Sequence, residues 1–183
     1  VCRQLGHAWR NRIFTPAVTV RSMVYRALNP DKSIRAVMAD LAVSDDRIKH
    51  APAGASWCEA RARLPEPVFG ELIQHSVRRL ERLTAGQFLF ENRRVFWVDG
   101  STLSMPDTPE LVEQFGYFNS THGPSRFPMG KITFIVRAGS DAVWDFRFAG
   151  CRTSETEQFH EMWDRIPRDS ICVFARHFSS FYN

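Results

Sequence analysis

The residues best placed to do chemistry lie in the run Val95-Phe96-Trp97-Val98-Asp99-Gly100-Ser101. Four large apolar residues in a row, two of them β-branched, predict a strand buried on both faces. A carboxylate arrives where that strand must emerge, and Gly100 would let the backbone turn beside it. An aspartate fixed at the end of a central strand points rigidly into a cleft, where it can hold a metal ion or carry a proton. The competing reading is that Asp99 only caps the turn, because Asp-Gly is a common loop dipeptide.

The run continues through Thr102-Leu103-Ser104 to Met105-Pro106-Asp107-Thr108-Pro109. Asp-Gly-Ser followed at this distance by Met-Pro-Asp-Thr-Pro resembles the first-aspartate motif of bacterial transposases of the insertion sequence four family. Cys2-Arg3-Gln4-Leu5-Gly6 and Cys58-Glu59-Ala60-Arg61-Ala62-Arg63-Leu64-Pro65 are similar to the helical amino-terminal region of the same enzymes. Phe127-Pro128 and the hairpin after it extend the likeness, so it covers essentially the whole chain. The resemblance implies an RNase H-like core with an Asp-Asp-Glu site holding Mg²⁺ or Mn²⁺, and it puts Asp99 on the first Asp. Such enzymes cut and join DNA by in-line attack at phosphorus, with two ions about 4 Å apart activating the attacking oxygen and stabilising the leaving one.

The family's second motif corresponds to Arg168-Asp169-Ser170-Ile171-Cys172-Val173-Phe174-Ala175-Arg176-His177-Phe178. Arg176 and Phe178 match it, Asp169 matches an earlier, non-catalytic Asp, and Ala175 stands where the second catalytic Asp belongs. The resemblance places the third carboxylate, a Glu, beyond Asn183. The chain is therefore expected to neither cleave nor join DNA, although an intact relative would. Decay or truncation of a transposase copy, an engineered knockout, and reuse as a non-catalytic DNA-binding or structural module all account for Ala175. Asp169 precedes the strand and is expected at its far end, roughly 20 Å from Ala175 at 3.3 Å per residue.

These residues need a scaffold, and the chain supplies two kinds. Residues 1–86 read as helices: Pro16 opens one that Asn29-Pro30 ends, and Ser33 caps a second. Ser56 and Glu59 suggest a capping box for Trp57 to Leu64. Pro65-Glu66-Pro67 starts a long helix with Phe69, Leu72, Ile73, Ser76, Leu80 and Leu83 on its apolar face. After Gly86 the periodicity changes to strands. Phe88–Phe90 and Val95–Val98 flank a loop at Glu91–Arg94, and Lys131–Arg137 and Ala142–Phe148 flank Gly139-Ser140-Asp141. A helix from Glu155 to Ile166 and a strand from Ser170 to Phe174 follow. The stretch Pro106–Pro128, with one short helix near Leu111–Phe115, is too long for a plain connection and is expected to border the site. The fold class expected is α/β: a helical region, 1–86, then an incomplete RNase H-like core with a mixed sheet, 87–183. In it the strand ending at Ala175 should lie parallel to and directly beside the one ending at Asp99.

Charge separates the same two halves. Residues 1–94 carry 16 Lys and Arg against 9 Asp and Glu, and residues 95–183 carry 8 against 11. Of the 24 cations 21 are Arg, whose planar fork suits phosphate. A basic half joined to an acidic one suggests a nucleic-acid contact beside a carboxylate site. Arg61, Arg63, Arg78 and Arg79 are the candidate DNA contacts, and double-stranded DNA at transposon ends is the expected partner, with self-association on it. The rival is solvated helix surface, or a structural module that packs on the core or a second subunit.

A hydrophobic share of 44% in 183 residues, with 15 Phe and 5 Trp, supports a packed core. No apolar run approaches membrane-spanning length and no signal segment is evident, which together with four cysteines expected to be reduced and mostly buried reads as a cytoplasmic protein; the resemblance implies a bacterial one. The first residue is Val1, as in a fragment. His160-Glu161 fails as a metalloprotease helix because Asp164 stands where the second His belongs.

Overall fold

The computed structural model describes residues 2–176 except 11, 47, 49 and 122, together with Phe178. The chain divides into two compact units, Val1–Glu71 and Leu72–Asn183.

The first unit is helical. Thr15 accepts from the Val18 N–H, and Pro16 starts α1 (Pro16–Leu28), which stops at Asn29. Ser33 accepts from the Ala36 N–H to cap α2 (Ile34–Ser44). Both starts satisfy backbone donors that a helix end leaves unpaired. The third helix, α3 (Gly54–Ala62), starts earlier than Ser56 and has no side-chain cap at Ala53, so the expected capping box does not form. Val18, Val37, Met38, Leu41, Ile48 and Trp57 form the core. The buried Trp57 indole donates to Ser22 Oγ at 2.7 Å, which satisfies the one polar atom that its burial would otherwise strand.

Next comes α4 (Pro67–Leu83). Its buried positions are Val68 and Val77; Leu83 is 69% exposed and Ser76 is exposed, which shifts the buried stripe from the expected one.

The second unit is built on one long strand. The strands are β1 (Leu89–Phe90), β2 (Arg93–Ser104), β3 (Tyr117–Ser120), β4 (Gly123–Arg137), β5 (Ala142–Gly150) and β6 (Ile171–Phe174). The helices are α5 (Pro109–Phe115) and α6 (Glu155–His160), the latter followed by a 3-10 turn at Trp163–Arg165. The expected helix to Ile166 thus breaks after its second turn. In the main sheet β5 pairs antiparallel with β4, β4 antiparallel with β2, and β2 parallel with β6. The result is a mixed α/β unit with a mostly antiparallel sheet.

Turns fall where backbone chemistry allows them. Glu91 and Asn92 both take positive φ, 49° and 60°, which makes a two-residue hairpin between β1 and β2 tighter than the four-residue loop expected. Gly139 at φ 85° and Asp141 at φ 53° turn β4 into β5 as expected. The Pro106–Pro128 stretch contains α5 and the β3–β4 hairpin, not open loop.

The largest correction concerns Gly100. The strand does not end at Asp99; β2 runs on to Ser104, paired residue by residue with β4. Its partner β4 continues the ladder, so nothing calls for a turn at the glycine. Phe96, Val98 and Ile135 from the sheet pack with Phe159 and Met162 from the α6 region and with Phe178. Strand alternation puts Phe96, Val98 and Gly100 on that covered face and Trp97 and Asp99 on the other.

Candidate functional site

Asp99 is exposed, near the middle of β2, and its Oδ1 accepts the Gly100 N–H at 2.8 Å. Across the sheet on one side it faces Phe134 of β4. On the other side the β2–β6 register ends with Val98 opposite Phe174, and the Ala175 N–H donates to the Val98 carbonyl at 3.0 Å. Ala175 follows the last pair of that ladder and packs against the Phe96 and Val98 cluster, whereas Asp99 adjoins Val98 on the other face of β2. The strand-to-strand placement expected from the sequence is therefore present.

Asp169 lies before β6 in a positive-φ turn, at the opposite end of that strand from Ala175. It does not join Asp99. His177, which the motif also included, lies outside the described residues.

A carboxylate that sequence reasoning missed comes closest to the Asp99-Gly100 backbone. Glu155 opens α6, and a methyl placed on Gly100 would meet its carboxyl carbon at 2.3 Å. A side chain at position 100 would therefore have to displace the Glu155 carboxyl group. Glu155 belongs to the face of β2 opposite Asp99, so the two acids do not converge. Its signal in the sequence was the capping box of Ser154 and Glu157, in which the Glu157 carboxylate accepts the Ser154 N–H at 2.7 Å and Ser154 Oγ accepts the Glu157 N–H at 3.1 Å. Those bonds to Ser154, backbone first, hold the Glu157 carboxyl below the usual glutamate range.

The neighbouring thiol is also perturbed: Cys172 is half-buried in β6, and burial pushes it above the ordinary cysteine value. All four cysteines are free; only Cys151 is fully buried, fewer than the composition suggested.

The candidate DNA contacts divide between the two units. Arg61 lies over the Trp57 ring at 5.3 Å, and Arg63 faces Glu59 at 3.7 Å, both in the helical unit. Arg78 and Arg79 are exposed on α4 in the other, and neither has an ion-pair partner among the described residues. An exposed arginine without a carboxylate partner keeps its full charge for an incoming phosphate.

The donor set does not fit the two metal ions that the resemblance implies. Among the described residues no three His, Cys, Asp or Glu side chains converge to hold an ion. Asp99 brings two oxygens, Ala175 brings only a methyl, and Mg²⁺ prefers about six oxygen ligands. No catalytic step through a metal follows from these residues.

An 88-residue stretch of the chain is 34% identical to the protein described as "Putative transposase InsZ" of Escherichia coli (strain K12). That stretch resembles a transposase. It takes in 48% of this chain and 29% of the relative, so the chain spans less than a third of the protein it matches. No family model and no solved structure matches the chain. Among the described residues no helix is long and apolar enough to cross a membrane.

Proposed function

We propose that this chain is a segment of a bacterial DNA transposase of the insertion sequence four family, acting in the cytoplasm on double-stranded DNA at transposon ends. The observation that carries the reading is the parallel pairing of β6 with β2, which leaves Ala175 just past its end with its N–H on the Val98 carbonyl next to Asp99. Three antiparallel strands, a helix, and a fourth strand parallel to the first are the opening order of an RNase H-like core. In that core two aspartates at these positions would share a pair of Mg²⁺ or Mn²⁺ ions. The partial similarity to a transposase supports the coarser part of this reading, a relation to transposases.

Here the second carboxylate is a methyl group, and water alone does not fix two ions at a set separation. The segment's role is therefore DNA association without strand cleavage. The basic half, with Arg61, Arg63, Arg78 and Arg79, supplies the phosphate contacts in this reading.

The experiment is strand cleavage of a labelled DNA end with Mn²⁺, using the chain, Ala175→Asp and Asp99→Ala. The chain and Asp99→Ala should both leave the DNA intact. Ala175→Asp should bind Mn²⁺ at least about tenfold more tightly than the chain, the size of a single ligand's contribution. Cleavage by the unaltered chain that Asp99→Ala abolishes would mean that a second carboxylate lies elsewhere. Equal Mn²⁺ affinity for the chain and Ala175→Asp would remove the two-aspartate geometry from the proposal.

A further inference from the structure

The helical unit contains a cleft of about 640 Å³ that shares only Arg63 with the DNA contacts proposed above. It is formed where the segment before α1 passes the start of α3, and His7, Trp9, Arg10, Arg12, Glu59 and Arg63 are among the residues lining it. Its charge is one-sided. Arg10 and Arg12 are exposed and make no ion pair among the described residues, while the one carboxylate, Glu59, already faces Arg63. Its rings are ordered: His7 stacks on Trp9 with centroids 6.0 Å apart and planes 22° from parallel. The Arg3 guanidinium lies over the same Trp9 ring at 5.6 Å. Arg3 does not line the cleft whereas both rings do, so the ladder Arg3–Trp9–His7 has its ring end at the cavity.

We propose that this cleft receives one or two unpaired nucleotides of a DNA strand. Phosphates would lie on Arg10 and Arg12 and a base would extend the His7–Trp9 stack. Flat rings beside unpaired guanidiniums are what single strands use, because every base has a π-face and every link a phosphate. The volume lies in the range of small-ligand clefts, about 300–1,000 Å³, and does not admit a double helix. The inference rests on the DNA association proposed above and adds a subsite to it.

The test compares binding of the full chain to a labelled single strand, to the same strand with abasic sites, to its duplex, and to the RNA of the same sequence. Affinity for the single strand should exceed that for the abasic strand by about five- to a hundredfold, the range of one base stacked on an aromatic ring. Trp9→Ala should erase that difference. Arg10→Ala with Arg12→Ala should weaken the intact and abasic strands alike and flatten the salt slope by roughly 0.7 for each phosphate no longer neutralised. Both arginines are exposed, so this variant keeps the test open even if Trp9→Ala fails to fold. Equal binding of intact and abasic strands, or tighter binding of RNA than of DNA, would overturn the cleft's assignment. Duplex binding that survives all three substitutions would then leave the proposed function standing, whereas no binding to any DNA at low salt would remove both.

Discussion

Replacing Arg137 by alanine is expected to cost the sheet unit about 3–5 kcal/mol, the range for removing one partner of a buried ion pair. Arg137 is 3% exposed at the end of β4. Its Nε donates to Glu81 at 3.2 Å. Its terminal nitrogens donate to the carbonyls of Phe88 at 3.1 Å, Val95 at 3.3 Å, Ala138 at 3.0 Å and Gln87 at 3.4 Å. The guanidinium also lies over the Phe96 ring at 5.8 Å. One side chain thus supplies donors to α4, to the segment entering β1 and to the start of β2. Alanine leaves those acceptors without their shared donor, with Arg94 still pairing Glu81 from the exposed side. Arg137→Lys should recover only a small part, since one ammonium cannot serve acceptors spread across a planar fork. Urea unfolding of the three proteins would measure this. A loss under about 1 kcal/mol for Arg137→Ala would show that water replaces the missing donors.

Phe159→Ala should be of the same order, about 3–5 kcal/mol, for a different reason. Phe159 is fully buried and, among the described residues, meets three aromatic rings edge-on: Trp163 at 5.4 Å, Phe174 at 5.1 Å and Phe178 at 6.2 Å. Truncation leaves a cavity between α6 and the sheet that these rigid rings fill poorly. Phe159→Leu should cost less than half as much, because it keeps most of the volume. Thermal unfolding separates the two, at roughly 4–8 °C per kcal/mol for a domain of this size. Equal losses would point to collapse of the cavity around either side chain.

Much of this arrangement is legible in the residues. Pro16, Asn29 and Ser33 mark helix ends through local backbone chemistry, and all three act where expected. The apolar run before Asp99 identifies the central strand, and the β2–β6 neighbourhood is what the family resemblance implies. Gly100 is where local reasoning fails. A glycine after an aspartate signals a turn when only the sequence is visible. Here it lies within a continuous strand, with the carboxyl group of a glutamate fifty-five positions later against it. The cleft in the helical unit is hidden for the same reason: His7, Trp9 and Arg63 meet through packing, and no short motif announces them. Ser56 satisfies the capping-box pattern and still lies inside its helix, because α3 begins two residues sooner at Gly54, against Ile34.

The β2–β6 ladder also has a consequence in time. The hairpins β1–β2, β3–β4 and β4–β5 each join neighbours in the chain and close over short loops. The pairing of Val95–Val98 with Ile171–Phe174 instead waits for everything between them to find its place. Closing a long connection pays its entropy before any contact repays it, and parallel strands cannot be nucleated by a turn. The β2–β6 edge is therefore expected to assemble last, after the antiparallel meander. In pulse-labelled hydrogen exchange during refolding, the Ala175 amide should gain protection later than the amides shared by β4 and β5, and simultaneous protection would contradict this order.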